Sequence, residues 1–119
     1  MTRVPKIIII GGGPAGLMAA TQLRDLNAHV TIVDHKPAVG RKFLVAGEGG
    51  FNLTHSEPLE AFIKKYDRKT VRDWVTKFTP DHFRAWLKTI GIETYIGSSG
   101  KVFPLEGTKP IEVLNAWLQ

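Results

Sequence analysis

Lys6-Ile7-Ile8-Ile9-Ile10-Gly11-Gly12-Gly13-Pro14-Ala15-Gly16 runs four isoleucines into a glycine-dense turn. The stretch reads as a buried strand feeding a helix through G-x-G-x-x-G, the geometry that sets a helix N-terminus against a dinucleotide pyrophosphate. The regular expression alone is weak, and its context supplies the other half. An apolar helix is expected over Leu17 to Leu26, followed by a second strand over His29 to Val33 that ends at Asp34, about where a ribose-binding acid belongs.

Each element of the turn has a physical task. Gly11 permits the bend off the strand, Gly13 lets backbone approach the phosphates, and Gly16 lets the helix pack closely on the sheet. Ala15 is small enough for the same approach. Amides of the first helical turn then face the negative charge, with a dipole contribution of about 0.3 to 1 kcal/mol. Asp34 is placed to accept hydrogen bonds from ribose hydroxyls and to repel a 2′-phosphate, which favours FAD or NAD over NADP. The competing reading makes the glycines a plain strand-to-helix turn and Asp34 a solvated strand end.

The chain has 119 residues, 43% hydrophobic and 23% charged, which fits one globular domain. It has no cysteine, so disulfides, thiolate metal sites and a cysteine redox partner for a flavin are excluded. That absence suits a reducing cytoplasm. His29, His35, His55 and His82 lack ligand spacing, and no metal is expected. The net charge is +5 and the pI about 9.7. Its cations fall in separate pairs, Arg41-Lys42, Lys64-Lys65 and Arg68-Lys69, so a solvated basic surface is expected rather than a nucleic-acid partner. Glycines and Pro14 interrupt the first apolar run too early for a signal peptide, and no stretch approaches a membrane span.

From His35 to Ser56 runs a long glycine-bearing connection with little periodicity, a length that usually signals function. Three amphipathic helices are then expected, each burying one stripe: Leu59, Phe62, Ile63 and Tyr66; Val71, Trp74, Val75 and Phe78; Phe83, Trp86, Leu87 and Ile90. Thr79-Pro80 starts the third and Gly91 stops it. Glu93 to Ile96 and Lys101 to Phe103 form a hairpin across Gly97-Ser98-Ser99-Gly100. A last helix opens near Thr108-Lys109-Pro110. The expected organisation is a βαβ nucleotide-binding unit with a flavin loop over 1–56 and a helical and hairpin section over 57–119. A doubly wound sheet wants a third parallel strand, so the chain is expected to be the N-terminal part of a longer protein, prone to self-association through its final helix.

Three blocks carry a family resemblance: GGGPAG at 11 to 16, GRKFLVAGEGGFNLTH at 40 to 55 and GKVFPLEGTKPIEVLNAWL at 100 to 118. Together they resemble the YhiN-like flavoproteins, also labelled aminoacetone-oxidase-like or BaiN-like, a bacterial family of NAD(P)/FAD-dependent oxidoreductases. The first block is common to many flavoproteins, and the other two are more specific. The resemblance implies a Rossmann-like α/β FAD domain, with NAD(P)H as a candidate electron partner of the full-length protein and a small-molecule substrate. Residue by residue, it implies that Gly11, Gly13, Pro14, Ala15 and Gly16 meet the pyrophosphate of FAD and Asp34 the ribose. Arg41 and Lys42 run toward the phosphates and flavin, with Gly49, Gly50, Asn52 and Thr54, together with Gly47, beside the isoalloxazine. The common family form GGGRCNLTN is altered here at Glu48, Gly50, Phe51 and His55, which removes an arginine and a cysteine. Phe51 is then a candidate hydrophobic wall, and His55 either a proton donor or a structural histidine. No residue earns a catalytic role. The rival classes are an NAD-dependent dehydrogenase and a non-enzymatic nucleotide-binding module.

Overall fold

The computed structural model describes residues 3–45, 52–105 and 108–118. Strand β1 (Lys6–Ile10) leads through the glycine turn into helix α1 (Pro14–Leu23) and on to strand β2 (His29–Val33), which lies parallel to β1 with Lys6 opposite His29 and Ile10 opposite Val33. The pair is closed at both ends, by His29 N–H donating to the Pro5 carbonyl at 2.9 Å and Gly11 N–H to the Val33 carbonyl at 2.7 Å. This is the expected Rossmann-like βαβ unit. Helix α1 begins three residues earlier than its apolar run suggested, because Pro14 has no N–H to lose at the first helical position. It also ends three residues earlier, at Leu23.

The isoleucine run was expected to form a buried strand, and it is covered on one face only. Ile7 and Ile9 turn inward, while Ile8 and Ile10 are 67% and 88% exposed and Val33 of β2 is 49% exposed. With a period of two, one layer of helix can cover only alternate residues.

The long connection after Asp34, expected to lack regular structure, contains a short helix α2 (Arg41–Val45) and a two-residue strand β3 (Thr54–His55). Next come α3 (Leu59–Lys64), α4 (Lys69–Lys77) and α5 (Pro80–Thr89), then β4 (Thr94–Ile96), β5 (Lys101–Pro104) and α6 (Pro110–Leu118). The expected hairpin is present, and β3 adds to its other edge, giving an antiparallel sheet in the order β3-β5-β4.

Helix α5 shows how local sequence sets its own limits. Thr79 Oγ1 accepts from His82 N–H at 3.2 Å, and Thr79 N–H donates to His82 Nδ1 at 3.0 Å, a reciprocal cap. At the other end Gly91, at φ +86°, lets Ile92 N–H reach the Leu87 carbonyl at 2.9 Å and its own N–H reach that of Lys88 at 3.0 Å. The same turn drops Ile92 onto Leu87, and with Val113 of α6 these form the buried centre. Phe43, Leu53, Phe83 and Trp86 pack around it. Trp117 of α6 meets Trp86 and Phe43 edge-on, with ring centres 5.2 and 5.9 Å apart, and its Nε1 donates to Thr21 of α1 at 3.1 Å.

Of the three expected buried stripes, only that of α5 reaches the core. Helices α3 and α4 bury no residue fully; Leu59 and Phe78 are exposed and Trp74 is 63% exposed. These two helices pack on each other, and Arg72 Nε of α4 donates to the Tyr66 carbonyl in the connection between them at 2.6 Å. An amphipathic pattern specifies which side is apolar, not what covers it.

Two glycine variants separate backbone strain from crowding. At Gly91 a Cβ meets nothing within 4 Å, so Gly91→Ala is expected to cost only the positive-φ penalty, about 1 kcal/mol in urea unfolding. At Gly40, φ is +74° and a Cβ would sit 2.7 Å from Leu114, so Gly40→Ala is expected to cost about 2 to 4 kcal/mol.

Candidate functional site: the glycine turn and its two clefts

At the C-terminal end of β1 the chain bends at Gly11, with φ +106°. Gly12 is buried, and both of its backbone groups are used: its N–H donates to Asp34 Oδ2 and its carbonyl accepts from Gly40 N–H, each at 2.7 Å. Gly13 is extended and caps α1, its carbonyl accepting from Leu17 N–H at 2.9 Å. A Cβ on Gly13 would meet nothing within 4 Å, whereas one on Gly16 would overlap the Gly11 carbonyl oxygen. Gly13 therefore borders open space and Gly16 seats α1 against the turn. Among the described residues, the N–H groups of Gly13, Ala15 and Gly16 have no hydrogen-bond partner, as expected of a first helical turn.

Sequence reading passed over Gly12, the unassigned residue of G-x-G. A Cβ there would lie 2.5 Å from Val39 Cγ1 and 3.0 Å from Asp34 Oδ2, so the position is glycine because of what packs on it. The signal available was the third glycine itself, in a run where the motif asks for only two.

Asp34 stands at the end of β2 with its side chain 15% exposed. Oδ1 accepts from Lys36 N–H and Oδ2 from Gly12 N–H, both at 2.7 Å. These two amides, Lys36 first, hold the carboxyl below its ordinary range; partial burial acts the other way, and positive charge on His35 and Lys36 adds to the lowering. The His35 ring lies 3.6 Å from Oδ1 and is otherwise open to solvent.

A cleft of about 910 Å³ opens beside the turn, bounded by Gly11 to Gly13, Asp34 to Pro37 and Gly40 to Lys42. Arg41 and Lys42 are exposed on the first turn of α2, so with Lys36 they make the rim positive around one acid. On the other side of α1's start, Pro14 and Ala15 help line a second cleft of about 410 Å³ with Phe43, Asn52, Phe78, Phe83 and Trp117. Helix α2 contributes to both clefts, Arg41 and Lys42 to the first and Phe43 to the second.

The structure thus brings Gly11, Gly13, Asp34, Arg41 and Lys42 together, and separately Pro14, Ala15 and Asn52. Gly16 and Thr54 line neither cleft; Thr54 pairs with Val102 inside the antiparallel sheet. Gly47, Glu48, Gly49, Gly50 and Phe51 lie outside the described residues. His55 Nδ1 accepts from Glu57 N–H at 3.0 Å, and its ring sits over Gly100 at the end of β3. The described residues hold no group of three His, Asp or Glu side chains able to bind a metal ion, and no helix among them is long and apolar enough to cross a membrane.

Because the Asp34 pKa is lowered by folding, its contribution to stability is full above the ordinary aspartate pKa of about 3.9 and is lost as pH falls through the lowered value. Acid unfolding of the Asp34→Ala variant is therefore expected to lose part of its pH dependence below about pH 4. Gly12→Ala, which drives a methyl into Val39, is expected to destabilise by about 1 to 3 kcal/mol in urea.

Residues 5–119 match the family model described as the HI0933-like protein Rossmann domain. The ribosomal RNA dihydrouridine synthase of Haemophilus influenzae is 32% identical over 111 residues, 93% of this chain and 28% of that protein. The 3-dehydro-bile acid delta(4,6)-reductase of Clostridium scindens is 29% identical over 101 residues, 83% of this chain and 24% of that protein. The chain spans about a quarter of the length of these curated relatives. With a Rossmann βαβ unit, the GRK and NLT elements and a family match along nearly its whole length, the chain belongs to the HI0933-like family, the flavoprotein oxidoreductases that its YhiN-like and BaiN-like motifs resemble.

Proposed function

We propose that this chain forms the adenosine-diphosphate half of an FAD site in a flavin-dependent oxidoreductase. The carrying observation is the Gly13 amide, which has no partner among the described residues and borders the same cleft as the carboxylate of Asp34, with the likewise unpartnered amides of Ala15 and Gly16 following it at the head of a ten-residue helix. That donor set fits a diphosphate followed by a ribose. Each Asp34 oxygen accepts one backbone hydrogen bond and keeps a lone pair for a ribose hydroxyl. Its negative charge disfavours a 2′-phosphate. Arg41 offers a rigid two-pronged donor to phosphate, and Lys42 a mobile charge.

The second cleft supports assignment of the flavin ring to the aromatic side of α1. Phe43, Phe78, Phe83 and Trp117 offer apolar walls there, and Asn52 can donate and accept at the ring's polar edge. Bound flavin supplies two-electron hydride chemistry, while the protein orients it and excludes water. For the whole protein we propose reduction of an unsaturated small molecule in the cytoplasm, with NAD(P)H as electron donor, since the names of both relatives denote addition of hydrogen. The name of the relative acting on ribosomal RNA favours a second reading in which RNA is the substrate; retardation of a ribosomal RNA fragment by the chain at 0.15 M salt would select it.

Because the described residues leave both clefts open, the 119-residue chain is expected to purify colourless and to bind FAD weakly or not at all. ADP is nevertheless expected to shift the amide resonances of Gly13, Ala15 and Gly16 in proton–nitrogen correlation spectra, and Arg41→Ala to weaken that binding by about three- to tenfold. Unmoved amides at saturating ADP would remove the nucleotide assignment, and tight stoichiometric yellow flavin on the chain would refute the expectation of weak FAD binding.

A further inference from the structure

Gly12 presents a donor at the mouth of the first cleft that is not available to a ligand. It lies buried, and its N–H is spent on Asp34 Oδ2 at 2.7 Å while its carbonyl is held by Gly40 at 2.7 Å. Gly40 in turn is fixed by its positive φ and by Leu114, which would lie 2.7 Å from a Cβ there. The other carboxylate oxygen of Asp34 is tied to Lys36 N–H, so the acid cannot swing away without breaking a second bond. The peptide planes on both sides of Gly12 are therefore set by contacts outside the turn, and the Gly13 N–H, which shares the second of those planes, stands without a partner among the described residues beside the first cleft, with those of Ala15 and Gly16 following in the first turn of α1.

We propose that Asp34 is a positioning residue for the diphosphate, in addition to accepting from ribose: its carboxylate pins Gly12 so that the following amides present to the anion. The proposal rests on the dinucleotide reading above. It makes a counter-intuitive demand of the electrostatics. By Coulomb's law alone, removing a negative charge beside a phosphate site strengthens anion binding. If Asp34 pins the turn, removing it weakens binding instead, even for an anion that carries no ribose. Asparagine cannot substitute fully, because it offers one oxygen to two amides and turns an N–H₂ group toward the other.

The test is titration of the 119-residue chain, its Asp34→Ala variant and its Asp34→Asn variant with inorganic pyrophosphate and, separately, with ADP, followed by amide resonances. Pyrophosphate is expected to bind about tenfold more weakly to Asp34→Ala than to the unaltered chain, with Asp34→Asn between them. Unchanged or tighter pyrophosphate binding with weaker ADP binding would reduce Asp34 to a ribose acceptor and overturn the proposal, leaving the nucleotide site standing. If neither ligand moves the unaltered chain's amides, the site and the proposal fall together. A measurement that needs no variant guards against misfolding. As acid neutralises Asp34 in the unaltered chain, Gly13, Ala15 and Gly16 amides are expected to shift with the same midpoint as those of Gly12 and Lys36, and separate midpoints would overturn the proposal.

Discussion

The arrangement depends on one peptide unit that has no freedom left. Gly12 spends its N–H on Asp34 and its carbonyl on Gly40, two residues from the same connection, 22 and 28 positions further along the chain. A buried amide without a partner costs about 1 to 3 kcal/mol, so this pair of bonds is not an optional ornament of the turn. It joins the end of β1 to the end of β2 and to the start of α2, the three places from which the first cleft is built. The lowered pKa of Asp34 follows from the same bonds, since a carboxylate accepting two amides resists protonation.

Support for that unit comes from a distance in sequence. The α5–α6 core, centred on Leu87, Ile92 and Val113, carries Leu114 on the neighbouring position of α6, and Leu114 reaches Gly40. One turn further along α6, Trp117 bonds to Thr21 and packs on Phe43 and Trp86, which ties α1, α2 and α5 to one helix. The section after residue 56 is thus part of the floor under the glycine turn. Its β5 strand also receives β3, so the segment bearing Asn52 is anchored at its far end by backbone hydrogen bonds.

Much of this was legible because it is local. Thr79-Pro80 and Gly91 bound α5 through their own side chains and backbone angles, and the Gly97-Ser98-Ser99-Gly100 turn specifies its hairpin without outside help. The βαβ unit was legible for a different reason: glycine spacing and a terminal acid encode its geometry directly. What escaped reading was whatever depends on a second surface. Ile8, Ile10, Trp74 and Phe78 carry correct periodicities yet lie exposed, because a pattern names an apolar side but not its cover. The helix at Arg41 escaped because five residues are too few to show a period, and β3 because two residues acquire strand character only from β5. Gly12 escaped because its constraint comes from Val39 and Asp34, which no spacing rule connects to it.

Gly40 and Leu114 stand 74 positions apart, yet there is no room between them for one methyl group. Such a pair leaves a mark on descent. Among relatives, any lineage that accepts a side chain at the first position is obliged to shrink the second, so the two columns should drift together while their immediate neighbours drift alone. A residue of α6 would then record, generation after generation, what happens at the entry to α2.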